Sequence, residues 1–315
     1  VGSDPECTLR AAIEAAYASA TVDTINFDNP TSDSGYSASP LSYTIQVGVP
    51  STEILPAITA PVTIDGTSQP DYPGAPIIVL DGTATTTLDT NGITLEAGNS
   101  TIRGLSIVDF PDDAIELDIT GGNTIVGNYI GIDPDGTTVS GNGWGIAIKT
   151  SSNTIGGTTA ADRNVIAGNG NYGLSIYNGS SGNVVSGNYI GLAADGATAR
   201  GNGAEGVLFW GGANGNTIGG TVAGARNVIS SNGTDGIYLV DAATDGNAIQ
   251  GIGSWDVNLS TAFAAHNHCA AYLRTRLWSP SRQTARLELG SDDAIKVWLN
   301  GQPVHATYVH RGVSP

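Results

Sequence analysis

Apolar and polar positions alternate in very short bursts along most of the chain. Between residues 92 and 252 a small residue leads each burst: Gly92-Ile-Thr-Leu, Ala114-Ile-Glu-Leu, Gly145-Ile-Ala-Ile, Gly173-Leu-Ser-Ile, Gly206-Val-Leu-Phe and Gly236-Ile-Tyr-Leu. A second burst, Asn-Thr-Ile-x-Gly or a near variant, recurs at Asn123, Asn153, Asn183, Asn216 and Asn247. The small-residue-led runs follow one another at steps of 22 to 33 residues. Such a period, made of short strands and Gly/Asn turns, predicts a solenoid of parallel strands. Helical repeats of similar length are excluded, because Gly is abundant and no 3.6-residue apolar pattern runs through the segment. The predicted fold class is all-β, a parallel β-helix.

The ends of the repeat read differently. Asp4-Pro5 is a good N-cap and first-turn pair, and Leu9, Ile13, Ala16 and Tyr17 fall on one helical face. A short amphipathic helix there is expected to cap the open apolar end of the solenoid. Extended segments follow at Asp23-Thr-Ile-Asn-Phe, Tyr43-Thr-Ile-Gln-Val, Pro61-Val-Thr-Ile-Asp and Pro76-Ile-Ile-Val-Leu-Asp. Within the regular part, Asn128-Tyr-Ile-Gly recurs from Asn188 and Arg163-Asn-Val-Ile from Arg226, so long-looped and short-looped coils alternate. The Asn column is expected to be structural, its amides bonding one another from coil to coil.

After Gly253 the pattern changes. All 4 His lie here, as do Trp255, Trp278 and Trp298. Ala270–Leu277, Thr284–Gly290 and Ile295–Leu299 alternate with period two, and Asn300-Gly301 signals a type I′ hairpin. Two domains are expected: residues 1–252, the β-helix with its N-terminal cap, and residues 253–315, a partial antiparallel β-sandwich.

Two resemblances sharpen this. Cys7-Thr-Leu-Arg-Ala-Ala is similar to the Cys-Ser-Leu-Arg-Glu-Ala opening of bacterial surface and secreted proteins of the parallel β-helix repeat family, with two departures. Leu55-Pro-Ala-Ile-Thr-Ala-Pro-Val-Thr-Ile-Asp-Gly-Thr-Ser-Gln-Pro also resembles that family. The resemblance implies a right-handed, pectin-lyase-like β-helix over roughly residues 5–252, in a family that includes glycan-active enzymes and adhesins. Gly290-Ser-Asp-Asp-Ala-Ile-Lys-Val-Trp-Leu-Asn-Gly-Gln-Pro-Val resembles the central hairpin of the sugar-binding β-sandwich modules named after the anthrax protective antigen. In some of those relatives paired acids hold Ca²⁺; Asp292-Asp293 matches them, but Ala294 stands where Gly is usual.

Charge narrows the partner. The formal net charge is -17, which repels phosphate backbones and polyanionic glycans alike. Nucleic acid is therefore not expected as a partner, and a neutral polysaccharide or oligosaccharide is favoured. No apolar run is long enough for a membrane span, and no signal peptide is read at Val1. Cys7 and Cys269 lie too many coils apart for an intrachain disulfide. The polar, acidic, Cys-poor composition suits a secreted or cell-surface bacterial protein. An edge-exposed, incomplete sandwich could complete itself across a homodimer.

Alternation also assigns side chains to faces. The inward pairs are Ile93/Leu95, Ile115/Leu117, Ile146/Ile148, Leu174/Ile176, Val207/Phe209 and Ile237/Leu239. The outward columns then read Thr94, Glu116, Ala147, Ser175, Leu208, Tyr238; Glu96, Asp118, Lys149, Tyr177, Trp210, Val240; and Asn91, Asp113, Trp144, Tyr172, Glu205, Asp235. Acids gather at one end, Lys149 sits in the middle, and five aromatics follow in a chain where aromatics are only 6%. Exposed rings stack on sugar C–H faces, and carboxylates on neighbouring coils fall about 5 Å apart. Like charges that close raise one pKa, leaving a proton donor beside a base or nucleophile.

The expected function is glycoside hydrolysis of a β-glucan-like polymer. Asp113, Glu116, Asp118 and Glu96 are the catalytic candidates. Lys149, Trp144, Tyr172, Tyr177, Trp210, Tyr238, Glu205 and Asp235 are the substrate-binding candidates. A non-catalytic, adhesin-type glycan binder is the rival reading. A polysaccharide lyase with Lys149 as base and Ca²⁺ on Glu96, Glu116 and Asp118 is another. No cofactor is required by the hydrolase reading, and no metal site is assigned; Ca²⁺ enters only with the lyase. Asp133-Pro-Asp135-Gly136 reads as a turn, and His266, His268, His305 and His310 as ordinary surface or interface residues.

Overall fold

The computed structural model describes residues 8–18, 22–48, 54–240, 244 and 246–250, and the strands 294–299 and 302–308 as backbone. The chain divides into two compact units, Val1–Thr275 and Arg276–Pro315. The described part of the first unit is mostly β, with a single α-helix, Leu9–Ala16. Among the described residues no helix is long and apolar enough to cross a membrane.

Three sheets take up the strands in rotation. The first has eight strands running from Asp23–Asn26 through Val62–Asp65 and Thr101–Arg103 to Ala248–Gln250. The second also has eight, from Tyr36–Ala38 and Leu41–Gln46 to Val228–Ile229. The third has six: Ile93–Leu95, Asp113–Leu117, Trp144–Ile148, Leu174–Ile176, Val207–Phe209 and Ile237–Leu239. Apart from the antiparallel pair that opens the second sheet, neighbouring strands within these sheets are parallel and one coil apart. This stacking is compatible with a β-helix-like solenoid. All four extended segments expected before residue 82 are strands.

The core follows from the alternation. Ile115, Ile146, Leu174, Val207 and Ile237 pair in register up the third sheet, and each is at most 2% exposed. At Gly145, Gly173 and Gly206, which lead three of these strands, the small residue has a steric cause. A Cβ added to Gly145 would fall 2.2 Å from the carbonyl oxygen of Gly173 on the next coil. The helix buries Leu9, Ile13 and Ala16 in the same core cluster, as expected of a cap. Its N-cap is Thr8, whose side chain accepts from the Ala11 amide at 3.2 Å, rather than Asp4, which lies outside the described residues.

Asparagine does more than the sequence reading expected. Besides the column from Asn123 to Asn247, a second runs Asn128, Asn164, Asn188, Asn227 and a third runs Asn142, Asn169, Asn202, Asn232. In each, the side-chain oxygen accepts from the amide N–H of the asparagine one coil earlier, as Asn164 does from Asn128 at 3.0 Å. Where the sheets turn, the backbone cannot continue its own ladder, and these amides supply the missing partners.

The Asp133–Thr138 turn is a turn, as read. Asp135 accepts from the amides of Thr137 and Thr138, and Asp195 repeats the motif with Ala197 and Thr198. In the second unit, Ala294–Leu299 and Gln302–Tyr308 pair antiparallel. These strands flank the expected Asn300-Gly301 hairpin turn. That turn, the rest of the sandwich, Asp292-Asp293, both cysteines, His266, His268 and His310 lie outside the described residues.

Candidate functional site

The three predicted columns stand on the third sheet in register. Glu116 pairs with Thr94 below and Ala147 above, Ala147 with Ser175, Ser175 with Leu208, and Leu208 with Tyr238. Asp113 pairs with Trp144. One correction concerns the middle column, expected to face solvent: Ala147, Ser175 and Leu208 are buried at 0%, 1% and 7% exposure. The Trp210 indole, hydrogen-bonded to Ser175, lies over that part of the column. The middle column is thus the floor of a trough, and the two aromatic columns are its walls.

At the acidic end the structure brings Asp113, Glu116, Asp118 and Lys149 together. The Lys149 ammonium forms a short ion pair with Glu116 and lies 3.9 Å from Asp118. Asn91 donates to the other Glu116 oxygen at 2.8 Å, and its own oxygen accepts from the Asp113 amide. Burial lowers the Lys149 pKa, but the Glu116 hydrogen bond and surrounding negative groups outweigh it, and the net shift is upward. Glu96 sits one rung before Asp118 and makes no ion pair among the described residues; its charge is felt by Tyr17 of the helix end.

Asp113 is the unusual group. It is 5% exposed, its Oδ1 has no hydrogen-bond partner, and Thr90 beside Asp112 also carries an orphaned buried oxygen. Burial, reinforced by Asp112 and Glu116, pushes the Asp113 carboxyl up to about 8, against the opposing pull of Lys149. A carboxyl so placed keeps its proton at neutral pH. Asp112 is raised too, mainly by burial and then by Glu116 and Asp89.

Farther up, the rings pair off. Tyr177 and Trp210 stack with centroids 4.6 Å apart and planes at 12°. Trp144 and Tyr172 meet edge to face at 4.8 Å and 89°. Both separations match the rung spacing of a parallel sheet, about 4.8 Å, so residues on consecutive coils meet without further adjustment. The Trp210 indole N–H donates to Ser175 Oγ at 3.0 Å, which fixes the ring across the trough. Burial pushes the Tyr177 hydroxyl up to about 12, so it stays a donor.

Between these pairs opens a cleft of about 340 Å³, with Leu208 on its floor and Trp144, Tyr172, Glu205, Trp210, Tyr238 and Val240 around it. Tyr177, Asp235 and the acidic group do not line it. The site therefore has two parts on one face: a carboxylate–lysine group and an aromatic cleft, joined through Trp144. Sequence reasoning missed Asn91 as an orienting residue, Asp112 as a perturbing charge, Ser175 as the partner of the Trp210 indole, and Leu208 and Val240 as cleft lining. Only the Asp112-Asp113 doublet carried a signal for its part.

Among the described residues, no group of three or more His, Cys, Asp or Glu is placed to hold a metal ion. The Lys149 ammonium already bridges Glu116 and Asp118, two of the three ligands of the calcium-lyase reading.

Ile119 follows Asp118 at φ 58 and is 69% exposed. On later coils Thr150, Asn178 and Gly211 follow the same column; the two that share the positive φ, Asn178 and Gly211, are residue types that tolerate it. A β-branched residue there is strained. Ile119→Gly is expected to raise stability by about 1 kcal/mol, read from the denaturation midpoint. An unchanged or lowered midpoint would show that Ile119 makes contacts worth its strain.

Compared with protein-family models the chain matches none, and no curated protein matches it either.

Proposed function

We propose that the chain is an extracellular carbohydrate-active protein built on a right-handed, pectin-lyase-like parallel β-helix. Its activity is hydrolysis of a neutral, β-glucan-like polysaccharide. The observation that carries this reading is the pairing of a nearly buried, proton-retaining Asp113 with the Lys149-bound carboxylates Glu116 and Asp118 on one sheet face. A protonated carboxyl beside ionised ones is the electrostatic arrangement glycoside hydrolysis requires.

In this reading Asp113 gives its proton to the leaving oxygen. Asp118, the more exposed carboxylate at 38%, serves as base or nucleophile. Glu116, engaged by both Lys149 and Asn91, positions the group, and the rings farther along the face hold the polymer by their C–H-binding surfaces. Secretion or display at the cell surface belongs to the same proposal, because polymeric glycans are met outside the cell.

The test is reducing-end release from a panel of neutral polysaccharides by the full chain. Glu116→Gln and Asp118→Asn are each expected to lower release about 100-fold or more, with the far-UV circular dichroism unchanged. Full activity in both variants would sink the assignment. A second reading, a non-catalytic glycan binder, is favoured by one observation: both Glu116 oxygens are already taken. Binding to the panel without release of reducing ends would choose it.

A further inference from the structure

The aromatic cleft lies off the carboxylate–lysine group and has its own chemistry. Four rings, Trp144, Tyr172, Trp210 and Tyr238, surround it, and the charged residue in its lining is the carboxylate Glu205. No lysine or arginine lines it. Asp235 occupies the same column one rung farther on, adding a second negative charge nearby. The Trp144 indole N–H, the Tyr172 and Tyr238 hydroxyls and the Glu205 carboxylate make no hydrogen bond to other described residues. Trp210, by contrast, has its N–H occupied by Ser175, so it offers the cleft a ring face rather than a donor.

Ring faces carry negative quadrupole potential, and a carboxylate among them reinforces it. A neutral sugar would use the ring faces alone. A sugar bearing an ammonium would use the faces, the carboxylate and the negative field of a chain with net charge -17. The volume, about 340 Å³, suits a short segment of sugar rings rather than a bare ammonium ion.

We propose that this cleft is a subsite for a basic amino sugar, a hexosamine unit with a free amine, held between the ring faces with its ammonium against Glu205. The inference rests on the glycan reading above and departs from it in one respect: the unit held at this cleft carries an amine, where that reading takes a neutral polymer. Tyr172, Tyr238 and Trp144 supply hydrogen bonds to the ring hydroxyls. Polyanionic glycans are rejected by the same carboxylates.

Calorimetric titration of the full chain tests this in about 0.15 M salt, where long-range attraction is screened. The probes are β-1,4-linked tetramers of glucosamine, N-acetylglucosamine and glucose, which share a backbone and differ in charge. The glucosamine tetramer is expected to bind about tenfold more tightly than either neutral one. Glu205→Gln is expected to bring the glucosamine tetramer down to the affinity of the two neutral ones, with the far-UV circular dichroism unchanged. Trp210→Ala is expected to weaken all three. Equal affinity for the three tetramers, a preference that survives Glu205→Gln, or no binding of any would overturn the proposal. The same titrations on Asp118→Asn, in which turnover is expected to be lost, separate binding from hydrolysis, so loss of the catalytic reading leaves this result standing, and the reverse holds too.

Discussion

Replacing Asp113 with Asn is expected to stabilise the fold while abolishing the proposed hydrolysis. The Asp113 carboxyl has an ordinary value of 3.8 and stands at about 8 in the folded chain. Its folded pKa is raised, so the native state binds the extra proton between those limits. Native stability is then greatest below about pH 4 as far as this group is concerned, and falls as pH rises toward 8. The slope is at most about 1.4 kcal/mol per pH unit. An amide of the same shape cannot ionise and escapes this loss. The stability difference between Asp113→Asn and the parent should therefore widen steadily from pH 5 to pH 8. Urea denaturation at four pH values measures it, and other titrating groups largely cancel in the difference. A flat difference would mean that Asp113 is not held protonated, and the proton-donor role would fall with it. Loss of activity with gain of stability is the signature of a group kept under strain for chemistry rather than for folding.

The second large effect belongs to the asparagine columns. Asn164 is fully buried; it accepts from the amide and side chain of Asn128 and donates to the Ile125 carbonyl and the Asn188 side chain. Asn164→Leu keeps the volume roughly and removes every one of these bonds. It leaves the Asn128 N–H and the Ile125 carbonyl without partners in a dry interior. Each orphan costs about 1–3 kcal/mol, so a loss of about 4 kcal/mol is expected. Asn247 ends the described part of its column and is only partly buried. Asn247→Leu should cost under about half as much. Equal losses at the two positions would show that the columns do not act as buried ladders.

The contrast between these two sites shows how much was legible in the chain. Alternation with period two is a local property, so Ile115, Leu117, Ile146 and Ile148 could be placed inside from their spacing alone. The same alternation put Glu116, Lys149, Tyr177 and Trp210 on one face, because equivalent residues of successive coils must stack. Only one asparagine column was read, since Asn128 and Asn142 lie in segments whose spacing varies with loop length. Which turns coincide from coil to coil is a matter of stacking, not of local pattern.

The floor of the trough marks the same boundary. Ser175 and Leu208 obey the rule for outward positions, yet both are buried; over Ser175 the cover is the Trp210 indole from one rung away. Side-chain reach across coils has no sequence signal of its own. The elevated Asp113 pKa is a mixed case: the like charge of Asp112 was legible in the chain, while burial, its largest cause, was not.

Sequence alone determined the strand bursts, their inward apolar pairs, the acidic balance and the order of chemistry along one face, since each depends on neighbours in the chain. Tertiary structure decided which carboxylate meets Lys149, which loses its water, and where the rings part to leave a cleft. Those outcomes depend on distances between residues 22 to 35 positions apart, set by coil stacking and side-chain packing.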